Sequence, residues 1–72
     1  MSKKSKRELK IRENPRNVSL DDFEWLVNQY GCIKPGGNHV LAVIGSRTFP
    51  YKRTNPVHPP YVKKLIELID CL

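Results

Sequence analysis

Apolar residues recur along the chain at two different spacings, and the change of spacing divides it into elements. Leu20, Phe23, Val27 and Tyr30, with Leu26 alongside, fall at three- and four-residue steps. That period sets them on one stripe of an amphipathic helix over residues 20–30. Ser19 stands where its side chain can accept from the Asp22 amide, Asp21 and Asp22 suit the positive end of the helix dipole, and Gly31 supplies a stop. Near the C-terminus Val62, Leu65, Ile66 and Ile69 form a second stripe with Lys63, Lys64, Glu67 and Asp70 outward. Pro59 or Pro60 starts that helix. Both stripes read as core.

Between the helices the pattern turns to β. "CIK" is long enough for a short strand, "PGG" breaks the chain, and "NHVLAVI" is a second strand. Gly45-Ser46 then has the spacing of a two-residue hairpin loop before "RTFPY", where Pro50 marks an edge strand or a strand's end. "KRTNPVHPP" holds three prolines in nine residues and reads as a loop. Upstream, "SKKSKRELKIRE" has good helix formers with only Leu9 and Ile11 as apolar anchors, so a short helix ends before Asn14-Pro15. The order predicts an α+β fold, α-β-β-β-α, with helices covering one face of a three-stranded antiparallel sheet. Residues 1–13 form a basic N-terminal arm and 14–72 the domain. The other face of so small a sheet stays exposed, a place for binding.

Composition narrows the classes. A chain of 72 residues makes one small domain, and 39% apolar with 28% charged residues is a folding composition rather than a disordered one. No apolar run approaches the roughly 18 residues of a membrane helix, and no signal-peptide pattern opens the chain, which predicts a cytoplasmic protein without a membrane partner. Cys32 and Cys71 lie far apart and are expected as small buried apolar residues rather than a disulfide. His39 and His58 are not at ligand spacing, and no acidic cluster lies near them, so neither a metal site nor a cofactor is expected.

Charge points to a partner. Of the net +6, residues 1–16 hold seven bases against two acids, and a second basic stretch, "PYKRTNPVHPPYVKK", lies towards the other end. Such a balance favours a polyanion, nucleic acid first and an acidic protein surface second. The plain alternative is a solubilising tail.

The segments "NPRNVSLDDFEWLVNQYG", "GGNH", "TFPY" and "PPYVKKLIELID" together resemble the HicA family, the toxins of HicA-HicB type II toxin-antitoxin systems, from Asn14 to Asp70. The resemblance implies a fold like a double-stranded RNA-binding domain. It implies an mRNA interferase, a metal-independent endoribonuclease of the stress response, monomeric alone or bound in a hetero-oligomer with a HicB-like antitoxin. The family's catalytic histidine follows a glycine-rich turn at the start of the second strand, which here is His39. Two departures stand out: Gly37-Asn38-His39 replaces the common Gly-Ser-His, and "NPVHPPYV" lacks the lysine often found before the last helix. An amide at Asn38 offers donor and acceptor geometry different from a hydroxyl.

RNA carries its own nucleophile, the 2′-hydroxyl. A small protein need only take that proton, let the 5′-oxygen be protonated, and stabilise the crowded phosphorane. An imidazole, whose ordinary pKa is about 6.5, suits that transfer. Gly36 and Gly37 allow close approach of backbone amides to a phosphate, or simply make a turn. Lys34, Asn38, Arg47, Lys52 and Arg53 complete the expected RNA contacts. The readings to separate are a His39 endoribonuclease, a non-catalytic RNA-binding module of the same fold, and an adaptor for an acidic protein.

Overall fold

The Ser19 hydroxyl accepts from the Asp22 amide at 3.1 Å, and from there an eleven-residue helix runs to Tyr30. The computed structural model describes residues 5–72, in the order α1 (Lys6–Glu13), α2 (Leu20–Tyr30), β1 (Gly31–Gly36), β2 (His39–Ile44), β3 (Arg47–Tyr51) and α3 (Pro59–Asp70). This is an α+β architecture of three helices and one antiparallel sheet in the order β1-β2-β3. The expected α-β-β-β-α core is present, with α1 added in front.

Alternation along the strands decides which face meets the helices. Ile33 on β1, Val40, Ala42 and Ile44 on β2, and Phe49 and Tyr51 on β3 lie on one face, in register through Ile33↔Ala42, Ala42↔Phe49 and Val40↔Tyr51. Against that face α2 sets Phe23, Leu26 and Val27, and α3 sets Val62, Leu65, Leu68 and Ile69. Phe23 and Tyr51 meet ring to ring, with centroids 4.7 Å apart in a tilted arrangement. Each fully buried apolar side chain of this set stabilises the fold by about 1.5–3 kcal/mol over leaving it in water. The stripe on α3 is wider than its expected positions, since Leu68 is buried and Ile66 only half so.

Two sequence expectations are corrected. "PGG" does not break the chain: β1 continues through Pro35 to Gly36, because on an edge strand a proline's missing amide is not missed. The reversal is confined to Gly37-Asn38, closed by the Gly36↔His39 pair. Gly37 at φ +66 and Gly45 at φ +61 each open a two-residue loop, and among the described residues no other residue type takes positive φ. Glycine first and a negative-φ residue second matches the sign pattern of a type II′ hairpin turn. The cysteines are the second correction: both are free and exposed. Cys32 sits on the sheet face away from the helices, and Cys71 follows the end of α3.

Of the expected basic arm, residues 1–4 lie outside the described residues, and Lys6–Glu13 is a docked helix with Ile11 buried and Leu9 45% exposed. Arg7 reaches across to α2, donating to Asp22 at 2.7 Å and Asp21 at 2.8 Å, and its guanidinium lies 4.6 Å from the Trp25 ring. Arg12 donates to Glu8 at 3.0 Å and to Asp70 of α3 at 2.8 Å. Glu8, only 3% exposed, also accepts from the Tyr30 hydroxyl at 2.8 Å, so its charge is paired as a buried charge must be. The loop before α3 is held as well: Val57 is buried, and its amide donates to the Val18 carbonyl at 2.8 Å.

Candidate nucleic-acid interface on the open sheet face

The strand residues that do not face the helices make a second surface. Cys32, Lys34 and Gly36 of β1, His39, Leu41 and Val43 of β2, and Thr48 and Pro50 of β3 share it by alternation and register. Leu41 and Val43 are half-exposed at its centre, and the rest are exposed. His39 stands at one end, delivered by the Gly37-Asn38 loop and paired with Gly36. A Cβ built on Gly36 would come 3.0 Å from the Leu41 side chain and 3.0 Å from the His39 carbonyl. Beside His39, therefore, the β1 strand offers backbone rather than a side chain.

Charge is distributed unevenly between the two faces. From Trp25 to Ile66 the chain contains no aspartate or glutamate, so no sheet position and no connecting loop carries a carboxylate. The acids lie on the helices, where Arg7, Arg12 and Arg53 neutralise Asp21, Asp22, Glu8, Asp70 and Glu24. Among the described residues Lys34, Arg47 and Lys52 make no ion pair.

The expected site residues are sorted by this geometry. His39, Lys34, Gly36, Gly37 and Asn38 belong to one hairpin end, and Lys52 follows the last residue of β3, whose Tyr51 pairs with Val40. Arg47 does not join them: it pairs with Ile44 at the far end of β2, about 17 Å away at 3.4 Å per residue. Arg53 is turned to the helical side, its Nε 3.0 Å from Glu24. Glu24 also accepts from the Tyr51 hydroxyl at 2.7 Å. Burial first, and this hydrogen bond second, push the Tyr51 phenol well above its ordinary range.

Among the described residues no three His, Cys, Asp or Glu side chains gather into a metal-binding group. Among the same residues no helix is long and apolar enough to cross a membrane. His58 precedes α3, stacked on Tyr61 with centroids 6.0 Å apart, and takes no part in the His39 cluster. Sequence reasoning missed Leu41 and Val43 as members of the open face. The alternation in "HVLAVI" carries that signal once the core-facing partners Ala42 and Ile44 are known.

No family model, no curated protein and no solved structure matches the chain.

Proposed function

We propose that this protein is a HicA-like mRNA interferase, a metal-independent endoribonuclease of the cytoplasm that uses His39 for proton transfer and is restrained by a HicB-like antitoxin. One observation carries the reading: an exposed histidine stands at the hairpin end of a carboxylate-free sheet face, near unpaired Lys34 and Lys52. A polyanion is drawn to such a face, and no fixed negative charge opposes it there. On this reading the fold is of the double-stranded RNA-binding-domain type.

The chemistry asks little of the protein. The 2′-oxygen attacks the adjacent phosphorus and its proton passes to the His39 imidazole. The bond from phosphorus to the 5′-oxygen breaks, and water protonates the leaving oxygen. Products are a 2′,3′-cyclic phosphate and a 5′-hydroxyl. A tight hairpin turn helps here, because a residue fixed at the first position of a strand loses little freedom on binding.

A non-catalytic RNA-binding module is the second reading. What favours it is that His39 has no hydrogen-bond partner among the described residues to orient its ring. Inducible expression separates the two. Growth arrest and transcript cleavage by the wild type, both lost in His39→Ala, support the nuclease; arrest by both proteins, or by neither, contradicts it. Purified protein should cut RNA in the presence of a chelator, and cleavage restored only by a divalent ion would refute metal independence.

A further inference from the structure

We propose that Lys52 is the catalytic partner of His39, its ammonium lying against the non-bridging oxygens of the phosphate under attack. This rests on the reading of the site as a ribonuclease. The register carries the inference. The β2–β3 pairing ends at Val40↔Tyr51, and one further step along the same register brings Lys52 opposite His39. The residues on either side of Lys52 fix its direction: the Tyr51 hydroxyl donates to Glu24 at 2.7 Å and Arg53 Nε lies 3.0 Å from the same carboxylate. Both therefore reach the helical side. By the alternation of β3, whose last residue Tyr51 faces the helices, the next residue leaves on the other side, the face that holds His39.

Lys52 is also well placed along the chain. The Thr54 amide donates to the Lys52 carbonyl at 3.0 Å, so the backbone turns immediately after it and Lys52 closes the extended run. Opposite residues on an antiparallel pair hold their Cβ atoms roughly 4.5–5.5 Å apart, which lets an imidazole and an ammonium share one phosphate. On the other flank of His39 stands Gly36, which presents backbone and no side chain. Lys34 pairs with Leu41 and is diagonal to His39, at roughly 7–8 Å, so it meets a neighbouring phosphate instead. The two lysines thus divide the work: Lys34 binds, and Lys52 stabilises the charge that builds on the phosphorane while keeping its own proton.

The test is single-turnover cleavage of a defined single-stranded RNA by the purified full chain, beside the affinity for the same RNA made uncleavable by a 2′-deoxy nucleotide. Lys52→Ala should slow the saturated rate by roughly 10²-fold, the scale of losing one oxyanion donor. Its affinity should fall no more than about threefold, and Lys52→Arg should recover most of the rate. Lys34→Ala should weaken binding more than Lys52→Ala does, and slow the saturated rate less. Replacing a non-bridging oxygen by sulfur should slow the wild type and have a smaller effect on Lys52→Ala. Equal effects of the two alanine variants on the saturated rate, or an undiminished sulfur effect in Lys52→Ala, would overturn the pairing alone. A wild type that cuts no RNA would overturn the ribonuclease reading, and the pairing with it.

Discussion

The helical side and the open sheet side of this molecule handle charge in opposite ways. On the helical side carboxylates and guanidiniums are matched: Arg7 with Asp21 and Asp22, Arg12 with Glu8 and Asp70, Arg53 with Glu24. On the sheet side Lys34 and Lys52 have no acid to meet. Three arginines stitch elements together, whereas the lysines near His39 are left to solvent. A planar guanidinium suits that stitching, since it holds two acceptors in fixed geometry and an ammonium on a flexible stem does not. The division also changes what the basic N-terminus means. Arg7 and Arg12 are occupied in docking α1, so the net charge near that end overstates what is free to meet a phosphate.

If the helical side carries stability and the sheet face carries function, substitutions should separate cleanly. The largest effect is expected from Phe23→Ala, which removes a fully buried ring packed on Tyr51. Its cost of about 3–5 kcal/mol is most of the stability of so small a domain, and a urea titration should show little folded protein. Glu8→Ala comes next. Arg12 and the Tyr30 hydroxyl lose a buried partner, and because Arg12 keeps Asp70 the loss should be about 2 kcal/mol, read as a lower urea midpoint with RNA affinity undiminished. A third effect depends on pH. The Tyr51 phenol titrates higher in the folded chain than in the unfolded one, so the folded state holds its proton more tightly. That stabilisation is complete below pH about 10 and is lost as pH rises beyond it. Urea midpoints from pH 8 upward should decline in the wild type, and Tyr51→Phe should remove part of the decline. The smallest stability effect belongs to the sheet side. Lys34→Ala should leave the midpoint within about 0.5 kcal/mol, yet lower the dependence of RNA affinity on salt by about 0.7 in logarithmic slope. A large stability loss there would break the division.

The elements were legible because local chemistry and packing agreed in them. Ser19 caps the amide it was expected to cap, Gly45-Ser46 forms the expected loop, and the spacing of Phe23 and Val27 gave the core stripe of α2. Local signals failed where the tertiary setting decides. Pro35-Gly36 reads as a break, but an edge strand tolerates a proline and the turn moves one step on. Cysteine is usually buried, and nothing near Cys32 or Cys71 in the sequence says that one falls on an open face and the other past a helix end. The candidate site was legible as a list and not as an arrangement. Lys52 and Arg53 are adjacent and alike in sequence, and only the carboxylate of Glu24, 29 residues from Arg53, separates their directions. Arg47 looks close to His39 along the chain, yet the β2–β3 hairpin holds it at the opposite end.

The most direct test of the central claim is the chemistry of the ends that purified protein leaves on RNA. Wild type should generate 2′,3′-cyclic phosphate and 5′-hydroxyl termini, while His39→Ala, with an unchanged urea midpoint, should generate none, and a 2′-deoxy nucleotide at the scissile position should block cleavage. Cleavage that persists in His39→Ala, or that cuts the 2′-deoxy substrate and leaves 5′-phosphate ends, would contradict a sheet face built to use the RNA's own nucleophile.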